Sequence, residues 1–79
     1  MWLLYIKAEE NDQQIIYHYS LESNDLDGEI IYDKGKKEFS VTKPCKKDAG
    51  SSWCIRRTEE HFWSIINEGF PNRRKVVTG

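Results

Sequence analysis

The chain has 79 residues, 38% of them apolar and 13% aromatic, which is enough for one core and one domain but leaves no room for a separate cofactor-binding layer. The 32% charged content, with only two prolines and five glycines, excludes a disordered or low-complexity chain. The formal net charge of −1 hides a division along the chain. Residues 1–33 carry Lys7 against eight acidic groups, net −7, and residues 34–79 carry eleven basic groups against five acidic ones, net +6. The two halves either neutralise each other on folding or leave the second half for an anionic partner.

The opening apolar run, Met1 to Ile6, is broken by Lys7. It lacks a basic leader and falls far short of the ~20 residues that span a bilayer. The chain therefore reads as soluble and cytoplasmic, with no membrane partner. Two cysteines in a reducing compartment read as free thiols; in an oxidising one, Cys45 and Cys54 would be the only possible pair.

Four segments alternate with period two and are rich in β-branched and aromatic residues, which predicts strands over 2–8, 14–21, 29–34 and 37–42. The connections are polar and too short to hide a crossover helix, so the strands pair in order as an antiparallel meander. Gly35-Lys36 as the centre of a type II′ hairpin puts Tyr32 opposite Phe39 and Ile30 opposite Val41. A type I′ turn over Lys34-Gly35 is the alternative, shifted by two residues with the same faces. Alternation then assigns Trp2, Leu4, Ile6 and Ala8 to the core face, beside Ile15, Tyr17, Tyr19, Leu21, Ile30, Tyr32, Phe39 and Val41.

A helix is expected after Arg57. Thr58 serves as its cap, Glu59 and Glu60 sit at the positive end of its dipole, and Phe62, Ile65 and Ile66 form the buried stripe. Gly69 stops it in a Schellman-type turn in which Phe70 folds back on Ile65, and Pro71 prevents continuation. Between the last strand and this helix, Lys43 to Arg57 reads as a loop pinned by Trp53 and Ile55. The expected fold is thus α+β, a four-stranded antiparallel β-meander with one C-terminal α-helix packed on one face. Residues 1–71 form the single domain and 72–79 a mobile basic tail, except that Val76-Val77 can add an edge strand.

Catalytic chemistry finds little support. Cys45, Cys54 and His61 are spaced C-x8-C-x6-H, which is not a zinc pattern, so neither a metal nor any other cofactor is expected. Cys54 with His61 has no third group to orient the base. The sequence has no phosphate loop, HExxH or GxSxG, and Asp25 to Gly28 lacks the remaining ligands of a calcium loop. The chain is therefore read as a non-enzymatic interaction module.

Two surfaces compete for the partner. Leu3, Tyr5, Ile16, His18 and Ile31 are expected on the sheet face away from the helix, a place normally left polar. They would form a contact face for a protein partner or a second copy. The alternative is nucleic acid, tracked by Arg56, Arg57, Arg73, Arg74 and Lys75. The sequence pI near 6.1 and the shortage of aromatic side chains outside the core, Tyr5 alone, weigh against it.

Overall fold

A computed structural model describes residues 1–77. The elements run β1 (Trp2–Glu10), β2 (Gln14–Leu21), β3 (Gly28–Asp33), β4 (Glu38–Lys43), α1 (Ser52–Asn67) and β5 (Arg73–Val77). The five strands form one antiparallel sheet in the order β4-β3-β2-β1-β5, with α1 on one face. The fold is α+β, with five strands rather than four. Residues 73–75, expected in a mobile tail, instead join Val76-Val77, the expected edge strand, and the five pair with the first part of β1, from Trp2 opposite Val77 to Ile6 opposite Arg73. Pairing buries Val76 and satisfies the second edge of β1, which explains why so polar a segment is ordered. Thr78 and Gly79, the rest of that expected tail, lie outside the described residues.

The meander follows the turn chemistry. At the β3–β4 hairpin Tyr32 faces Phe39 and Ile30 faces Val41, as a turn centred on Gly35-Lys36 requires. The turn itself is built differently. Asp33 Oδ1 accepts from the backbone N–H of Gly35 and of Lys36 at 2.9 and 3.0 Å, and the left-handed residue is Lys37, φ 56°. An aspartate side chain thus organises a four-residue loop where a glycine-first turn was expected.

The first hairpin holds the main correction. Glu10 pairs with Ile15 and Glu9 with Ile16, but Lys7, not Ala8, pairs with Tyr17; the register shifts between Lys7 and Glu9. One extra residue in β1 is a β-bulge, and it turns every side chain before it to the opposite face. Leu3 and Tyr5 therefore point at the helix, opposite Leu21 and Tyr19, and both are fully buried. Trp2, Leu4 and Ile6, expected inside, lie on the outer face.

The helix is longer at its start than the sequence reading allows. Ser51, extended at φ −130°, ψ 102°, is the N-cap, and its Oγ accepts from Cys54 N–H at 3.3 Å. Thr58, expected to cap, is buried inside the helix. Trp53 and Ile55 are accordingly helical residues rather than loop anchors. The end of α1 matches the expected Schellman stop: Gly69 N–H donates to Ile66 O at 3.1 Å and Phe70 N–H to Ile65 O at 3.0 Å, with both residues left-handed. Phe70 then packs on Tyr32, ring centroids 4.8 Å apart.

A lone helix of this length is marginal in water and is held by its apolar stripe. Phe62 is the centre of that stripe. Its ring lies 5.9 Å from Tyr5, 5.4 Å from Tyr17 and 4.8 Å from Phe39, so one side chain joins β1, β2 and β4 to the helix. No helix among the described residues is long and apolar enough to cross a membrane.

Candidate functional site

The outer face is built by the odd–even rule acting on the corrected register. The pairing places Ile6 beside His18, His18 beside Glu29, and Ile16 beside Ile31. Trp2 and Val77 meet at the β1–β5 end. Trp2, Ile6, Ile16, His18 and Ile31 are half-exposed, and Val77 is 72% exposed. Of the five residues expected to form this patch, the structure brings together Ile16, His18 and Ile31. Leu3 and Tyr5 belong to the core, because the bulge reverses their facing, and Trp2, Ile6 and Val77 stand where they were expected.

One corner of the face is closed. Leu4 and Ser20 are paired neighbours and both are buried. Ser20 Oγ donates to the carbonyl of Ser23, so the loop after β2 folds over them. The rest has a charge gradient. The row Arg73, Ile6, His18, Glu29 crosses the sheet from β5 to β3, and Lys75 lies on the same side as Arg73, its Nζ 4.6 Å from the centre of the Trp2 ring. Asp33 and Glu38 pair at the far edge. The apolar middle thus runs between a basic flank and an acidic one. His18 Nε2 lies 3.9 Å from Glu29 Oε2.

The residues expected to track phosphates do not form one surface. Alternation along β5 sends Arg73 and Lys75 to the outer face and Arg74 to the helix side, where its Nε donates to both carboxylate oxygens of Glu68 at 3.0 Å. Arg56 is exposed on α1. Arg57 is half-buried and stacks on Trp53, 4.9 Å from the ring centre. Two ion pairs join the acidic first half to lysines of the second, Glu10 to Lys34 and Glu22 to Lys47, and Glu10 also meets Lys7 of its own half. Part of the charge asymmetry along the chain is thus met by ion pairs between its two halves.

The cysteines are both free. Cys54 lies in the first turn of α1 and His61 two turns later, about 10 Å along the axis, so they do not form the pair that thiol catalysis needs. No group of three or more His, Cys, Asp or Glu among the described residues is placed to hold a metal ion. Cys45 is buried, and burial pushes its thiol up, against the opposing pull of the Asp48 N–H. A thiol so placed is a poor nucleophile.

Beside Cys45 lies a buried polar network that the sequence reading missed. Asp48, fully buried, accepts through Oδ2 from Tyr19 Oη at 2.7 Å and Thr58 Oγ1 at 2.8 Å. Tyr19 Oη accepts in turn from Cys45 N–H at 3.2 Å, and Tyr5 Oη donates to the Thr58 carbonyl at 3.0 Å. Oδ1 of Asp48 has no partner. The network ties the loop before α1 to both central strands and to the helix. Tyr19 reaches it by lying across Gly28, where an added Cβ would stand 2.3 Å from the ring. The network is built as a clasp: the hydroxyls of Tyr5, Tyr19 and Thr58 are all engaged.

Two exposed tryptophans were also missed, Trp53 at 60% and Trp63 at 54% exposure. The signal was available for Trp63. It directly follows Phe62, and adjacent helical residues point about 100° apart, so a stripe through Phe62 and Ile65 leaves Trp63 on the flank. Comparison with known protein families, with curated proteins and with solved structures gives no match.

Proposed function

We propose that the protein is a non-enzymatic protein-contact module that closes its outer sheet face against another chain, and that the first occupant is a second copy of itself. The observation that carries this reading is the set of large apolar side chains, Trp2, Ile6, Ile16, Ile31 and Val77, left half-exposed or exposed on the face opposite α1. Such side chains gain nothing from water, and a second sheet packed about 10 Å away would bury them. The charge gradient supports the choice of occupant. A two-fold axis parallel to the strands sets the Arg73 and Lys75 flank of one copy against the Glu29, Asp33 and Glu38 flank of the other, twice over.

The test is sedimentation velocity of the wild type and of Ile16→Lys. Position 16 faces away from the helix, so the variant keeps its fold by circular dichroism while losing association by at least about tenfold. A wild type that stays monomeric at about 1 mM, or an Ile16→Lys chain that associates equally well, overturns the reading.

A further inference from the structure

Where α1 passes the edge strand β4, Phe39 and Trp63 meet almost edge to face, with ring centroids 5.3 Å apart at 76°. With Lys37, Glu38 and Glu59 they line a groove of about 260 Å³. The core sets the position of Phe39, since Phe62 stands 4.8 Å from it on the inner side. Trp63 adds a large, open indole wall that contributes little to the core. The two carboxylates belong, like Glu9 and Glu60, to the unpaired ones on the molecule. Glu10, Glu22 and Glu68 each face a lysine or arginine, whereas the side chains of Glu38 and Glu59 have neither an ion pair nor a hydrogen bond among the described residues.

We propose that this groove receives a lysine or arginine side chain from a basic segment of a partner polypeptide. Two ring systems set at right angles offer π density to a cation while removing part of its water. Glu38 and Glu59 supply a counter-charge that Lys37 offsets only by half. The groove opens at the free edge of β4, the end of the sheet. An extended segment laid along that edge directs alternate side chains toward the helix side, where the groove lies. The groove shares only Glu38 with the outer sheet face; Trp63 and Glu59, on which the test turns, belong to α1 and lie on the opposite side of the sheet.

The experiment is a titration of ¹⁵N-labelled protein, followed by its indole and amide resonances, with end-blocked tetralysine at low salt and end-blocked tetraglutamate as control. The Trp63 indole and the amides of Phe39 and Glu59 should shift and saturate, while the Trp2 and Trp53 indoles should not. Glu59→Gln and Trp63→Leu should each weaken binding about fivefold or more, and both should keep a cooperative melt, since Glu59 has no hydrogen bond or ion pair to lose and Trp63 is 54% exposed. Shifts that leave Trp63 unmoved, equal shifts with tetraglutamate, or no saturation by about 10 mM peptide overturn the proposal. If Trp63→Leu does not fold, Glu59→Gln decides alone, and unchanged affinity in that variant overturns it.

Discussion

The two faces of the sheet are both apolar, and they differ in what their apolar residues do with polarity. The inner face carries Tyr5, Tyr17 and Tyr19, each with its hydroxyl donated to a partner: the Thr58 carbonyl, the Pro71 carbonyl and Asp48. The outer face carries isoleucines and a tryptophan with no layer above them. Hydrophobicity alone therefore cannot tell inside from outside in this chain. What separates the faces is that the tyrosines are placed where the helix and the loops on either side of it can meet the hydroxyl, a requirement aliphatic side chains do not have.

The sharpest way to break this comparison is to delete Ala8. Removing the extra residue restores simple alternation through β1, sends Leu3 and Tyr5 outward and brings Trp2, Leu4 and Ile6 beneath the helix. The expected outcome is loss of cooperative folding, read by near-ultraviolet circular dichroism and amide dispersion. A native-like spectrum would show that either face of β1 can serve as the core.

Next in size is a paired truncation. Phe62→Ala removes the ring that joins three strands to α1 and should cost about 3–5 kcal/mol, which for a domain this small approaches the whole stability. Ile31→Ala on the outer face should cost under about 1 kcal/mol in the monomer. Equal losses in urea melts of dilute protein would mean that the outer face is as packed as the inner one.

Alkaline titration sharpens the contrast through the tyrosines. Burial holds the phenols of Tyr5, Tyr17 and Tyr19 well above their ordinary range, and negative neighbours add to the effect: Asp48 at Tyr5 and Tyr19, Glu10 at Tyr17. A phenol whose folded value is raised contributes stability that is fully present below its unfolded value, near 10, and is lost as pH climbs above it. Stability should therefore fall above about pH 10. The phenolate absorbance of these three should appear together, with unfolding. A gradual rise preceding unfolding would show that the tyrosine network is open to solvent.

The smallest effect distinguishes the two cysteines. With its thiol pushed up by burial, Cys45 should react with a thiol reagent at pH 8 about tenfold or more slowly than half-exposed Cys54, and only through opening of the loop. Equal rates in a mass-resolved time course would place Cys45 at the surface.

Much of the fold was legible because local chemistry decides it. The β3–β4 register, the alternation of β2 and β3, and the stop at Gly69 and Phe70 each depend on a few adjacent residues. Three features were not legible, and each for a physical reason. Trp2 to Ile6 is apolar on both faces, so alternation has two solutions, and the choice is made by one bulged alanine with no distinctive chemistry. Thr58-Glu59-Glu60 imitates a helix start, yet Thr58 spends its hydroxyl on Asp48, a partner ten residues away, and the true cap is Ser51. Val76-Val77 was readable as an edge strand, but Arg73 to Lys75 is too polar to announce one, and pairing with the edge of β1 extends the strand through it. Of the candidate site, Ile16, His18 and Ile31 were readable from period two. The Trp63 groove depends on the angle at which α1 passes β4, which no local pattern contains.

The pairing of Trp2 with Val77 also carries a consequence for synthesis. β1 is made before β5, and its edge on that side has no mate until β5 leaves the ribosome. Throughout that interval the nascent sheet presents an open edge flanked by Trp2, Leu4 and Ile6, the kind of template on which two growing chains on one message can join wrongly. Three consecutive cations at Arg73 to Lys75 then close it, so the strand that covers this edge of β1 also puts a repelling charge on the new border of the sheet.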